Sequence, residues 1–132
     1  MQDKHLFEYA VIRVVPRVDR EEFLNVGVIL YCPQVKFLGL AWSLDNNRLL
    51  ALCPTVDMEE LYEHLRAFEK ITNGKDAYGN EMGGPIGQLD IASRFRWLTA
   101  TRSTILQTSK VHPGLCTGPA AMLERLYGSL VL

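Results

Sequence analysis

The chain lacks most of the features that mark a protein's trade on first reading. It has 132 residues and no apolar run approaching the roughly 20 that a membrane-spanning helix needs; the longest are Val26 to Cys32 and Phe37 to Trp42. The start, Met1-Gln2-Asp3-Lys4-His5-Leu6, has no basic patch, long apolar stretch or small-residue cleavage site, which argues against export. Cysteine is scarce. Cys32, Cys53 and Cys116 cannot all pair within one chain and none falls in a CxxC spacing, so free thiols in a reducing, cytoplasmic compartment are expected. Cys116 and His112 are four apart, but Pro113 and Gly114 forbid the helix that would bring them to one metal, and no metal site or cofactor is expected. The catalytic signatures GxSxG and HExxH are missing, as are the phosphate-cradling GxGxxG and GxxxxGK[ST] patterns.

Charge of one sign is locally missing as well. The formal net charge is only −1, and with a pI of about 6.3 the chain has no global field to draw nucleic acid, which argues against that class of partner. Yet Ile91 through Leu123 holds no Asp or Glu while carrying Arg94, Arg96, Arg102, Lys110 and His112. Asp57 through Lys70 is the acidic counterpart, with Asp57, Glu59, Glu60, Glu63 and Glu69 against Arg66 and Lys70.

What is present describes one α+β domain spanning residues 1–132, an antiparallel β-meander of about four strands packed with three to four helices. A 48% apolar content suffices for a core of that size without staples. Phe7 to Val15 is apolar on both alternating faces, so a strand covered on both sides is expected there, ended by Pro16. Asn25 to Cys32, closed by Pro33, and Lys36 to Trp42 complete a meander. Asp45 is placed to cap a short helix over Asn46 to Leu52, ended by Pro54. Asp57 and Glu60 have capping-box spacing, and Met58, Leu61, Tyr62, Leu65 and Phe68 form an apolar stripe, so a helix runs from Met58 to about Thr72, with Gly74 as its stop. Five glycines and prolines between Lys75 and Gln88 predict a flexible loop over 75–88, long enough to serve as a lid. A second main helix is expected over Ile86 to Leu98, a fourth strand over Ser103 to Ser109, a turn-rich connection over Val111 to Gly118, and a terminal helix entered at Gly118-Pro119.

Candidate chemistry concentrates between Arg94 and Thr104, where guanidinium groups, hydroxyls and the indole of Trp97 fall within eleven residues. Arg presents a fork matched to phosphate or carboxylate, and Ser and Thr add neutral donors. Arg94 and Arg96 point about 200° apart on a regular helix, so both cannot face one ligand. Arg96, Arg102 and Ser103, joined by Lys110 and His112, form the expected anion site, and Arg94 is assigned to a structural ion pair. The competing reading is a solvated helix end whose arginines pair with the acidic helix. A hydrolase would need Ser103 or Cys116 with His112 and Asp90 or Glu81, and nothing in the spacing demands it; His112 before Pro113-Gly114 reads as a turn residue. Strands with two apolar faces and few helices to cover them also suggest that the meander doubles as an assembly surface.

The blocks Phe7-Glu8-Tyr9-Ala10-Val11-Ile12-Arg13-Val14-Val15-Pro16, Glu22 through Leu30, Arg94-Phe95-Arg96-Trp97-Leu98-Thr99 through Arg102-Ser103-Thr104, and Val111-His112-Pro113-Gly114 together resemble the bacterial domain of unknown function family 3037. Thr101 stands where related chains often carry proline. The resemblance lends no activity. It implies a context, because such chains are often encoded beside a HipA-like kinase, and so points to an accessory role as partner of such a kinase. The function expected is therefore a non-catalytic interaction module. The alternative is a small phosphate- or nucleotide-handling enzyme using the Arg94 to Ser103 segment and His112.

Overall fold

The computed structural model describes residues 3–100 and 105–132. Its centre is a five-stranded antiparallel sheet: β1 (His5–Val14), β2 (Leu24–Cys32), β3 (Phe37–Trp42), β4 (Leu106–Thr108) and β5 (His112–Cys116). The order β3-β2-β1 is the expected meander. β4 and β5 then share the remaining edge of β1, β5 alongside His5 to Tyr9 and β4 alongside Ile12 to Val14. Where one hands over to the other, the Val11 amide donates to Ser109 Oγ at 2.8 Å and Ser109 N returns a bond to Val11 O at 2.8 Å. No backbone group at Val11 is left unpaired by the change of neighbour.

The alternation in β1 divides the core into two layers. Ala10, Ile12 and Val14 meet Ile29 and Tyr31 of β2 on one face, where α1 (Asn46–Leu52), α2 (Met58–Asn73) and α4 (Ile91–Leu98) pack through Leu49, Leu61, Leu65, Phe68, Phe95 and Leu98. Phe7 meets Val28, Leu30 and Cys32 on the other, beneath Leu123 of α5 (Pro119–Leu130). Each fully buried Leu or Phe contributes about 1.5–3 kcal/mol. A β-bulge at Ile12/Arg13 skips Val26 in the pairing and turns it toward the first layer, which is why both Val26 and Ile29 belong there.

The helix ends follow their caps. Asp45, Asp57 and Asp90 each accept a bond from the amide three residues on, and Gly74, with φ 73°, stops α2 in the left-handed region. The second main helix, expected from Ile86, begins at Ile91. The apolar spacing of Ile86 and Leu89 is shared with a separate turn, α3 (Gly84–Gly87), and the Asp90 cap sets the true start. Segment 75–88 is stitched internally: Asp76 accepts from the amides of Tyr78 and Asn80 and from Asn80 Nδ2, and Gln88 Nε2 donates to Gly74 O and Met82 O.

The expected turn-rich connection at 111–118 is corrected to a strand, giving five strands where about four were expected. Pro113 is accommodated because β5 pairs on one side only, with β1, so no ladder bond is required of its outer edge. Gly114 is required by a close approach, since a Cβ there would lie 2.5 Å from Phe7 Cζ.

Candidate functional site

Of the basic run, Arg94 and Arg96 have opposite fates, as their angular separation demands. Arg94 lies half-buried behind α4 and its Nη1 donates to Ile71 O at 3.2 Å and Thr72 O at 2.9 Å. These are carbonyls in the last turn of α2, left without intrahelical partners, so Arg94 closes the negative end of that helix. Its expected structural role is in place, but the partner is backbone rather than an acidic side chain. Arg96 turns outward and reaches Glu8 Oε2 at 2.7 Å, as an ion pair rather than an aligned hydrogen bond.

Glu8 belongs to the first face of the sheet, in register with Tyr31 and Pro113. His112 is in register with Tyr9, on the opposite face, and its ring stacks on Tyr9 with centroids 5.3 Å apart. Arg96 and His112 are thus separated by the thickness of the sheet. Lys110 is exposed in the link between β4 and β5, where its carbonyl accepts from Ser109 Oγ. Arg102 and Ser103, with Thr101 and Thr104, lie outside the described residues.

Cys116 and Asp90, two of the groups that a hydrolase would need, are otherwise engaged. Cys116 is buried, and burial, followed by the neighbouring Cys32, pushes its thiol above the ordinary value of 9.0. His112 and Cys116 share a face of β5 but are four residues apart on an extended strand, roughly 13 Å. Asp90 caps α4, and hydrogen bonds from Ser93, first side chain and then backbone, hold its carboxyl below the usual range. Glu81 is exposed, its backbone forming an isolated β-bridge with that of Lys75.

Two surface features stand out from the residues upward. The first is the end of the sheet beside the Arg96–Glu8 pair. Leu6 and Leu115 are cross-strand partners in β1 and β5, yet they are 55% and 60% exposed, beyond the reach of the helices that cover the rest of that face. Trp97, next to Arg96 on α4, is 38% exposed. The second is a groove of about 270 Å³ between α2, the end of α4 and β4, lined by His64, Phe68, Ile71, Trp97, Leu98 and Leu106. The Leu6–Leu115 pair escaped the sequence reading because β5 did. One signal was available: Glu8 interrupts an apolar strand, which marks the point where that face leaves the core.

An antiparallel sheet covered on both faces by helices, with an apolar pair exposed at one end, defines an α+β protein. The chain belongs to the family described as protein of unknown function (DUF3037), whose family model matches residues 9–131, nearly its whole length. Neither a curated protein nor a solved structure matches it. No helix among the described residues is long and apolar enough to cross a membrane.

Proposed function

We propose that this chain is a non-catalytic interaction module of the bacterial cytoplasm. In this reading it is an accessory partner of a HipA-like kinase, and the end of its sheet around Leu6 and Leu115 is the contact surface. The observation that carries the reading is the exposure of that cross-strand leucine pair on a face otherwise sealed by α1, α2 and α4. A monomer gains nothing by leaving two leucines side by side in water, whereas an interface uses an apolar centre with a polar rim. Arg96 and Glu8, an ion pair next along the same face, supply such a rim. The free thiols Cys32, Cys53 and Cys116 accord with a reducing compartment.

The alternative, a phosphate- or nucleotide-handling enzyme built on Arg96, Arg102, Ser103, Lys110 and His112, has less support. Arg96 is already neutralised by Glu8, and His112 is on the far side of the sheet. The deciding experiment mixes the purified chain with a HipA-like kinase encoded beside it and follows size-exclusion elution at moderate salt. Co-elution that is weakened by Leu115→Asp, a change at an exposed position, supports the reading. Separate elution of two stable, folded species overturns it.

A further inference from the structure

The two edges of the sheet are built differently. On the β1 side the edge is divided between β4, only three residues long, and β5, which carries Pro113. Short strands and proline are the usual means by which a sheet avoids pairing with another chain. At the other edge lies β3, Phe37-Leu38-Gly39-Leu40-Ala41-Trp42, with no charge and no proline over six residues. Among the described residues it has one strand neighbour, β2, and every one of its residues retains part of its exposure although α2 and α5 flank it.

The direction of its free backbone groups follows from one bond. Ser43 N donates to Val26 O at 2.9 Å, and the register pairs Trp42 with Gly27 and Ala41 with Val28. Bonded and non-bonded pairs alternate along an antiparallel ladder. Ala41, Gly39 and Phe37 therefore bond inward to β2, and Trp42, Leu40 and Leu38 aim their N–H and C=O groups away from the sheet.

We infer that β3 is a self-pairing edge, and that two copies of this chain join β3 to β3 antiparallel about a two-fold axis at Leu40. The register is dictated by the outward groups. With Leu40 opposite Leu40, Leu38 of each copy falls opposite Trp42 of the other, and all three outward residues meet outward residues as bonded pairs. A centre at Gly39 leaves Trp42 without such a partner. A two-fold axis normal to the sheet keeps each layer on its own side, so the α2 helices lie beside one another on one face and the α5 helices on the other. The strand ends are complementary in charge: exposed Lys36 precedes β3 and exposed Asp45 follows it, and the antiparallel arrangement brings each toward the other copy's opposite end. A six-residue junction lies at the small end of specific interfaces, so the dimer dissociates in the micromolar range rather than below it. This surface is distinct from the Leu6–Leu115 end, and the inference does not rest on the kinase reading.

The test is sedimentation equilibrium of the intact chain from about 5 to 500 µM, together with amide hydrogen exchange at both ends of that range. A monomer–dimer equilibrium is expected, with the Leu38, Leu40 and Trp42 amides gaining protection as concentration rises and those of Phe37, Gly39 and Ala41 protected throughout. Leu40→Pro removes an outward donor from each copy and is expected to weaken the dimer at least tenfold. Because that variant also trims the core, the exchange pattern of the unmodified chain is decisive on its own. A monomer at every concentration overturns the inference, as does a dimer in which the three amides stay unprotected. Protection of those amides only on adding a different protein also overturns it, and would assign the edge to that protein's strand.

Discussion

Replacing Arg94 with alanine leaves the last turn of α2 without its side-chain closure, and the cost can be worked from the contacts. One guanidinium nitrogen serves two carbonyls, Ile71 O and Thr72 O, from a half-buried position. Hydrogen bonds to charged groups contribute about 1.5–3 kcal/mol each, reduced here because water can reach carbonyls exposed by the truncation. The cation at the negative end of the helix adds about 0.3–1 kcal/mol. Arg94→Ala should therefore lose about 2–4 kcal/mol, a fall in Tm of roughly 8–15 °C for a chain of this size. Arg94→Lys should recover about half, since an ammonium has no planar fork. Arg96→Ala, two residues on, removes only the pair with Glu8, whose side-chain exposures are 57% and 27%. It should cost at most about 1 kcal/mol, and less in high salt. Paired urea melts of the three variants provide the measurement. Equal small losses for Arg94→Ala and Arg96→Ala would refute the argument that the two arginines are divided between helix closure and surface. Gly74 offers an internal control: its φ of 73° and the 2.6 Å between an added Cβ and Arg94 Nη1 make Gly74→Ala costly, and non-additive with Arg94→Ala.

Gly87→Ala should destabilise by more than about 2 kcal/mol, because the new Cβ lands on the Met82 carbonyl oxygen, whereas Gly128→Ala, open to solvent inside α5, should stabilise by about 0.5–1 kcal/mol; thermal melts separate them. Thiol titration of the native protein should label Cys53 first and leave Cys32 and Cys116 unreacted until denaturant is added, and rapid native labelling of Cys32 would contradict its place between the strands and α5. The carboxyls of Asp76, held mainly by the Asn80 amide, and of Asp90, held mainly by Ser93, lie below 3.8 in the folded chain. Depressed carboxylates stabilise fully above their unfolded value and lose that contribution as pH falls through the folded one, so Asp90→Asn should flatten the acid limb of a stability-against-pH curve below about pH 4 and change little of its shape at neutral pH.

Most of the fold was legible because its signals are local. The two-faced alternation of β1, the prolines after β1 and β2, and the aspartates at 45 and 57 each act within a few residues of where they are read. β5 was not legible, because nothing within His112–Cys116 favours a strand; Pro113 and Gly114 favour a turn, and the segment becomes extended only by pairing with residues more than a hundred positions earlier. The start of α4 was misread for a milder reason: Ile86 and Leu89 extend its apolar spacing, and the choice between one helix and two rests on the Asp90 cap. In the candidate site, helical geometry alone separated Arg94 from Arg96. That Glu8 would receive Arg96 depends on how α4 crosses β1, which no local pattern encodes.

The divided edge of β1 also sets the order in which the chain can complete itself during synthesis. β1, β2 and β3 are contiguous and can pair as soon as the first forty or so residues emerge. The flank of β1 from His5 to Tyr9 then waits for residues 112–116, about 70 residues after the end of β3, which at translation rates of roughly 5–20 residues per second is about 4–14 seconds. During that interval the nascent chain offers β1 as an open strand edge in place of the short, proline-bearing edge that β4 and β5 later provide. The newborn protein is thus most exposed to misassembly, and most dependent on chaperones, at the very strand on which the finished sheet is centred.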